Sequence, residues 1–212
     1  MQQFFSDTLP KNTLTLANEF QNRRPAFLDH FYLTAGTALS LLLGHRESED
    51  LDFFIQDEFE PQKLQQELEF FGTLTDLELA QGTVNTFIAD VKLQFLHYPY
   101  QLIQPVVNWN GIKISSKVDI ACTKLQTIGA RGSKKDFIDM YFLLKEFTLP
   151  HLFDHLKEKY PSTDYNHIHL LKSLTYFDDA DAQPMPKMHI LVGWEEVKVN
   201  IVEQVKEFTF DN

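Results

Sequence analysis

A chain of 212 residues, 43% of them hydrophobic and 19 of them Phe, is long and apolar enough to bury a substantial core, which excludes an intrinsically disordered protein. Its formal net charge of −11 excludes broad, sequence-independent clamping of nucleic acid, because such binding depends on Lys and Arg neutralising phosphates. The single cysteine, Cys122, excludes an internal disulfide and fits a reducing, cytoplasmic setting.

The N-terminal residues 1–7 lack the basic start and apolar run of a signal peptide, and the longest apolar stretch, 38–43, is far too short to span a bilayer, so no membrane association is expected. Residues 11–30 read as one helix or two, broken near Arg24-Pro25, with Leu14, Leu16, Phe20 and Phe27 as the buried side. A short strand over 31–34, a helix from Gly36 to Gly44 and a strand over 50–55 follow. Pro61 opens a helix reaching Phe71, in the position where proline is best tolerated. Alternation over 76–80, 83–89 and 91–96, with turns at Gln81-Gly82 and Ala89-Asp90, predicts antiparallel strands. After a loop around Pro99 and Pro105, Ser115-Ser116 caps a helix over 117–130, which Arg131-Gly132-Ser133 interrupts. Phe137, Tyr141, Leu144 and Phe147 recur at helical spacing in a further helix that Pro150 ends. Residues 151–212 read as helices separated by Pro161, the Pro184/Pro186 loop and Gly193, with no catalytic pattern.

Two segments carry chemistry. The helix that opens at Gly36-Thr37 presents free N–H groups able to hold a phosphate. On the strand over 50–55, Asp50 and Asp52 share a face while Leu51 and Phe53 turn to the core. Paired carboxylates repel each other unless cations neutralise them, and divalent ions do so in phosphoryl and nucleotidyl transfer. Taken separately, Gly-Thr is also an ordinary helix start and Asp-x-Asp an ordinary solvated strand edge. Their order matters, because turn, helix and dicarboxylate strand converge at one end of a sheet. A basic stretch (Lys113, Lys117, Lys124, Arg131, Lys134, Lys135) stands out in this acidic chain, as a solvated helix face or as a polyanion site. His151/His155 and His167/His169 lack the partners of a zinc site, and Cys122 reads as packed in an apolar helix.

Three segments together, 31–54, the Asp119-Ile120-Ala121-x-x-Lys124-Leu125 helix, and Arg131-Gly132-x-x-Lys135-Asp136-x-x-Asp139-x-Tyr141, resemble the AbiEii-type nucleotidyltransferases of the polymerase-β-like superfamily, whose members include toxins of abortive-infection and toxin–antitoxin systems. The stretch 172–180 is similar as well. The resemblance implies an α+β fold: a core with a mixed, partly antiparallel sheet flanked by helices over 1–115, and a helical region over 116–212 carrying the Lys/Arg-Asp motifs. It also implies roles. Gly36-Thr37 would contact a nucleoside triphosphate, with Ala35 where the family has a first glycine. Asp50 and Asp52 would position Mg2+ or Mn2+. Arg46 and Ser48 precede them, with Arg46 in reach of phosphate. Lys124, Arg131 and Lys135 would stabilise phosphate charge, and Asp136 or Asp139 would orient or deprotonate the acceptor. By helical spacing alone, Arg131, Lys135 and Asp139 equally form an ion-pair ladder.

Polymerase-like enzymes place a third carboxylate beside the Asp-x-Asp strand, and Gln94 stands there in this chain. A glutamine does not take a proton. The leading expectation is a metal-dependent enzyme moving an NMP from an NTP to an acceptor hydroxyl, with tRNA as the acceptor and an antitoxin as protein partner. The alternatives are a nucleotide-binding protein without turnover that acts through a partner, and an enzyme modifying a small molecule.

Overall fold

The computed structural model describes residues 2–163 and 165–208; Met1, Asp164 and the last four residues of the tail read above as helical lie outside the described residues. The first helix, α1 (Lys11–Arg23), buries Leu16, Ala17 and Phe20 and leaves Leu14 half-buried. It stops at Arg24, in a left-handed cap with φ of 48°, just before Pro25. Next come β1 (Tyr32–Leu33), α2 (Ala35–Leu43), β2 (Leu51–Ile55) and α3 (Pro61–Leu68), the last extended to Phe71 by a tighter 3-10 turn. The meander β3 (Thr75–Ala80), β4 (Thr83–Ile88) and β5 (Val91–His97) turns at Gly82 and at Ala89-Asp90.

The segment read as a loop contains a hairpin, β6 (Val107–Trp109) and β7 (Ile112–Ile114). Its turn, Asn110-Gly111, has φ of 51° and 102°, the left-handed backbone that a two-residue hairpin turn requires and that Asn-Gly adopts readily. The sheet order is β3-β4-β5-β2-β1-β7-β6, with β2 parallel to β5, β1 parallel to β7 and the remaining pairs antiparallel. The sheet is therefore mixed, and β7 carries the chain from the sheet into the helices.

One face of the sheet is filled by phenylalanines. Phe53 stacks on Phe95 with ring centroids 5.0 Å apart, and Phe27 meets both edge-on. The strand period of two sends their neighbours Asp52 and Gln94 to the other face. Helices α4 (Lys117–Ala130) and α5 (Lys134–Leu143) stand beside α2, each started by a serine, Ser116 and Ser133, that accepts a backbone N–H of its first turn. Then follow α6 (Leu149–Lys159), α7 (His167–Leu174), α8 (Asp178–Asp181) and α9 (Trp194–Glu207). Pro150 does not end α5, which stops at Leu143; it sits in the first turn of α6, where its missing N–H has no helical partner to lose. The buried ion pair between Lys159 and Asp119 (2.6 Å) joins α6 to α4, and the same carboxylate accepts the N–H groups of Ile103 and Gln104. Between α8 and α9 the chain straps back over residues 44–48: Glu47 N donates to Lys187 O, and His189 N and Ile190 N donate to His45 O. Among the described residues no helix is long and apolar enough to cross a membrane.

Candidate active site

The β2 and β5 strands, the start of α2, one face of α4 and the start of α5 line a cavity of about 280 Å³. Of the residues singled out in the sequence, Gly36, Arg46, Ser48, Asp50, Asp52, Lys124, Arg131, Lys135 and Asp136 line it, segments up to 100 residues apart. Thr37 and Asp139 do not. Thr37 is buried under the turn, where its Oγ1 lies 2.8 Å from Ser48 Oγ and donates to the Asp50 carbonyl, so it holds the approach to the dicarboxylate strand.

Asp50 and Asp52 reach the cavity with no side-chain hydrogen bond or ion pair among the described residues. Burial, and secondarily the charge of Asp50, push the Asp52 carboxyl up to about 6. Across the parallel register from Asp52 stands Gln94. Its Nε2 donates to Asn85 Oδ1 at 3.0 Å, and Asn85 Nδ2 lies 3.4 Å from Glu78 Oε2, a polar row crossing three strands. The row fixes which end of the amide faces Asn85 and leaves the Gln94 carbonyl oxygen as the end without a partner. Among the described residues no group of three or more His, Cys, Asp and Glu is arranged to hold a metal ion. Two carboxylates and an amide are the oxygen donors here. Such a set fits Mg2+, which keeps waters and takes phosphate oxygens in place of a full protein cage.

Beneath the cavity lies a second cluster of charge. Asp139, with no exposed surface, accepts Arg46 Nε (2.7 Å) and Nη2 (2.8 Å) in a fork, His45 Nε2 (2.8 Å) and Lys124 Nζ (2.6 Å). Arg46 and Lys124 hold its carboxyl well below the usual range despite its burial. Lys124 also binds Asp136 Oδ1 at 2.7 Å, while the other oxygen of Asp136 accepts the N–H and hydroxyl of Ser133 in a capping box. Asp139, expected with Asp136 to orient or deprotonate an acceptor, has no exposed surface and does not line the cavity. Asp136 faces the cavity with both oxygens engaged. The ladder along one helix face is also absent, because Arg131 has left the helix with extended backbone and Asp139 pairs with Arg46 and Lys124 instead of Lys135.

Arg46, expected to reach for phosphate, spends its fork on Asp139 and sits against the turn: a Cβ on Gly36 would lie 2.8 Å from Arg46 Nη2 and 3.2 Å from Ser48 Oγ. Close approach, and not backbone conformation, demands the glycine. The unusual backbone belongs to Ala35, with φ of 56°, a region where a Cβ is strained. No side chain caps α2, so the N–H groups of its first turn remain free beside the cavity.

The basic stretch does not form one patch. Lys113 donates to the Asp29 carbonyl, Lys117 pairs with Glu146, and Lys134 lies over the Trp194 ring with its Nζ on the Asp181 carbonyl. Lys124, Arg131 and Lys135 reach the cavity.

The family model for the nucleotidyl transferase AbiEii toxin of type IV toxin–antitoxin systems matches residues 20–207. The chain belongs to the AbiEii family. This AbiEii-family chain is also 35% identical over 184 residues to an uncharacterised protein, aq_aa25, of Aquifex aeolicus, covering 84% of the chain and 87% of that protein. Its fold is shared with JHP933 of Helicobacter pylori (TM-score 0.57, 20% identity, 93% of this chain and 92% of that one) and with the nucleotidyltransferase toxin MenT4 of Mycobacterium tuberculosis (TM-score 0.55, 12% identity, 94% and 87%). The chain is thus a nucleotidyltransferase by family, and its fold is α+β with a mixed sheet flanked by helices.

Reading the sequence missed two charged cavity residues. Lys92 lies two positions before Gln94 on the same strand face, a signal that the period of two contained. Glu49 sits between Ser48 and Asp50 and reaches the cavity from irregular backbone, where no periodicity points it.

Proposed function

We propose that this protein transfers a nucleoside monophosphate from an NTP to an acceptor hydroxyl on RNA, with tRNA as the acceptor, as the toxin of a pair controlled by an antitoxin in the cytoplasm. One observation supports this above the rest. Among the described residues, Lys92, Arg131 and Lys135 line the cavity without a side-chain hydrogen bond or ion pair, as do the two carboxylates that share it. All three cations are exposed and hydrated, and a ligand carrying charge of both signs can replace that water at cations and carboxylates alike. A triphosphate with a divalent cation supplies both.

Asp50 and Asp52 would hold Mg2+ or Mn2+, with the Gln94 oxygen alongside; when bound, the ion neutralises phosphate charge and polarises the reacting phosphoryl group. Arg131 and Lys135 bind the β- and γ-phosphates. The free N–H groups at Ala35 and Gly36 hold a further phosphate oxygen. Lys124 contributes positive potential from within its ion pairs, and Asp139 and Arg46 position Lys124 and the turn. With these donors fixed before substrate arrives, little reorganisation is left for the reaction.

A specific observation favours a second reading. Gln94 in register with Asp52 leaves the carboxylate pair without a third acid, which suits a protein that binds NTP without turning it over.

Calorimetric titration with NTP, with and without Mg2+, tests the proposal, followed by incubation of radiolabelled NTPs with total tRNA. Binding is expected only with Mg2+ in the wild type and to lose that dependence in Asp50→Asn. Arg131→Ala is expected to weaken NTP by about 1.5–3 kcal/mol, the worth of a charge-assisted contact, and to leave NMP nearly unchanged. Equal NTP affinity with and without Mg2+ would overturn the reading. If only Gln94→Asp labels tRNA, the second reading replaces it.

A further inference from the structure

Transfer needs a group to take the acceptor's proton, and the expected candidates are engaged: Asp139 is sealed under the cavity and both oxygens of Asp136 are bound. Asp50 and Asp52 are the pair proposed to hold the cation. Among the described residues lining the cavity one further carboxylate is left, Glu49, and its side chain has no hydrogen bond or ion pair. Its backbone, by contrast, is pinned. Thr13 Oγ1 on α1 donates to the Glu49 carbonyl at 2.9 Å, and the preceding Ser48 N donates to the Thr8 carbonyl at 3.1 Å. A fixed backbone carrying a free, exposed carboxylate at a cavity wall is a group presented for use.

Glu49 also marks a junction. A second pocket of about 180 Å³ adjoins the cavity and shares Ser48, Glu49 and Lys135 with it. Its other walls are Pro10, Glu47, Pro186 and Lys187. The prolines offer flat apolar surface to a sugar or base, and Lys187, which is mostly exposed and paired only with Glu47 (2.7 Å), can exchange that pair for a phosphate at little cost. Pro186 and Lys187 belong to the strap that the C-terminal segment lays across residues 44–48, so the region without catalytic pattern builds a wall of this pocket.

Resting on the transferase reading above, we infer that Glu49 is the general base and that the second pocket receives the 3′ end of the RNA acceptor. The acceptor hydroxyl oxygen forms a bond to the α-phosphorus, the bond from the α-phosphorus to the bridging oxygen breaks with its electron pair leaving on pyrophosphate, and the hydroxyl proton passes to the Glu49 carboxylate. General-base help of this kind is worth roughly 10²–10⁴-fold.

The test compares wild type, Glu49→Gln and Glu49→Ala for Mg2+·NTP binding by calorimetry and for label transfer from radiolabelled NTPs to total tRNA. Both variants are expected to bind Mg2+·NTP like wild type and to transfer roughly 100-fold or more slowly. Acetate or formate, small enough to enter the space left by Glu49→Ala, is expected to restore that variant at least in part, and chloride is not. Lys187→Ala is expected to raise the KM for tRNA and leave that for NTP unchanged. Transfer by Glu49→Gln within threefold of wild type, or a loss in Glu49→Ala that no carboxylate restores, overturns the base assignment while the transferase reading stands. A wild type that binds Mg2+·NTP yet labels no RNA overturns the base and acceptor assignments, and one that binds no NTP removes the transferase reading as well.

Discussion

Two groups of charge face each other across one wall of the cavity, and they are built to opposite rules. Around Asp139, two cations, two carboxylates and a histidine are packed into a closed set in which almost every polar atom has a partner; His45 Nδ1 is the exception. Around Asp50 and Asp52, the carboxylates and the cations Lys92, Arg131 and Lys135 make no side-chain hydrogen bond or ion pair among the described residues. The first group has spent its interaction energy inside the fold, and the second has kept it for a ligand. Charged residues named by one motif thus divide into those that hold the site and those that use it.

The sharpest way to break this comparison is to delete one charge from each group. Asp139→Asn leaves Arg46 and Lys124 buried beside a neutral group and is expected to cost about 3–5 kcal/mol in urea unfolding, near the whole stability of many domains. If it costs less than about 1 kcal/mol, the closed set is not what holds the wall. Asp52→Asn has the opposite sign: it removes a half-buried carboxylate repelled by Asp50 and is expected to stabilise the metal-free protein by about 1–2 kcal/mol, within the limit set by a carboxyl raised to about 6. A destabilised Asp52→Asn would place that carboxylate among the structural charges.

His45 sharpens the contrast through pH. Burial lowers its pKa from 6.5, so the folded protein keeps it neutral where the unfolded chain accepts a proton. The sign follows from linkage: stability is fully present above pH 6.5 and declines below it, by at most about 1.4 kcal/mol per pH unit from this one group. His45→Gln keeps a donor for Asp139 and removes the titration, so the melting temperature of wild type is expected to fall more than that of the variant between pH 7 and 5. Parallel profiles would exclude His45 as the cause.

The smallest effect is expected at Ala35. Glycine there relieves left-handed strain of about 1–2 kcal/mol and gives back about 0.4–1 kcal/mol by loosening the unfolded chain. Ala35→Gly is expected to raise stability by about 0.5 kcal/mol, read from the urea midpoint at constant slope; a loss would mean that the turn is held by contacts to the Ala35 methyl.

Most elements were legible because their signals are local. The period of two over 91–96 marked a strand and Ser116 a helix start, whereas Ser133, read only as part of the break after that helix, caps α5. The β6–β7 hairpin was passed over although Asn110-Gly111 is a turn signal, because its strands are three residues each and follow directly on the stretch around Pro99 and Pro105. The order and types of residues also determined the family, the dicarboxylate strand and the glycine turn, since a few neighbours along the chain define each of them. Only the tertiary structure decided what each charge does. Whether Asp139 faces a substrate or Arg46, whether Lys134 reaches the cavity or Trp194, and whether Glu49 is free depend on groups tens of residues away, and electrostatic energy is set by distance and burial in space, which spacing along a chain does not specify.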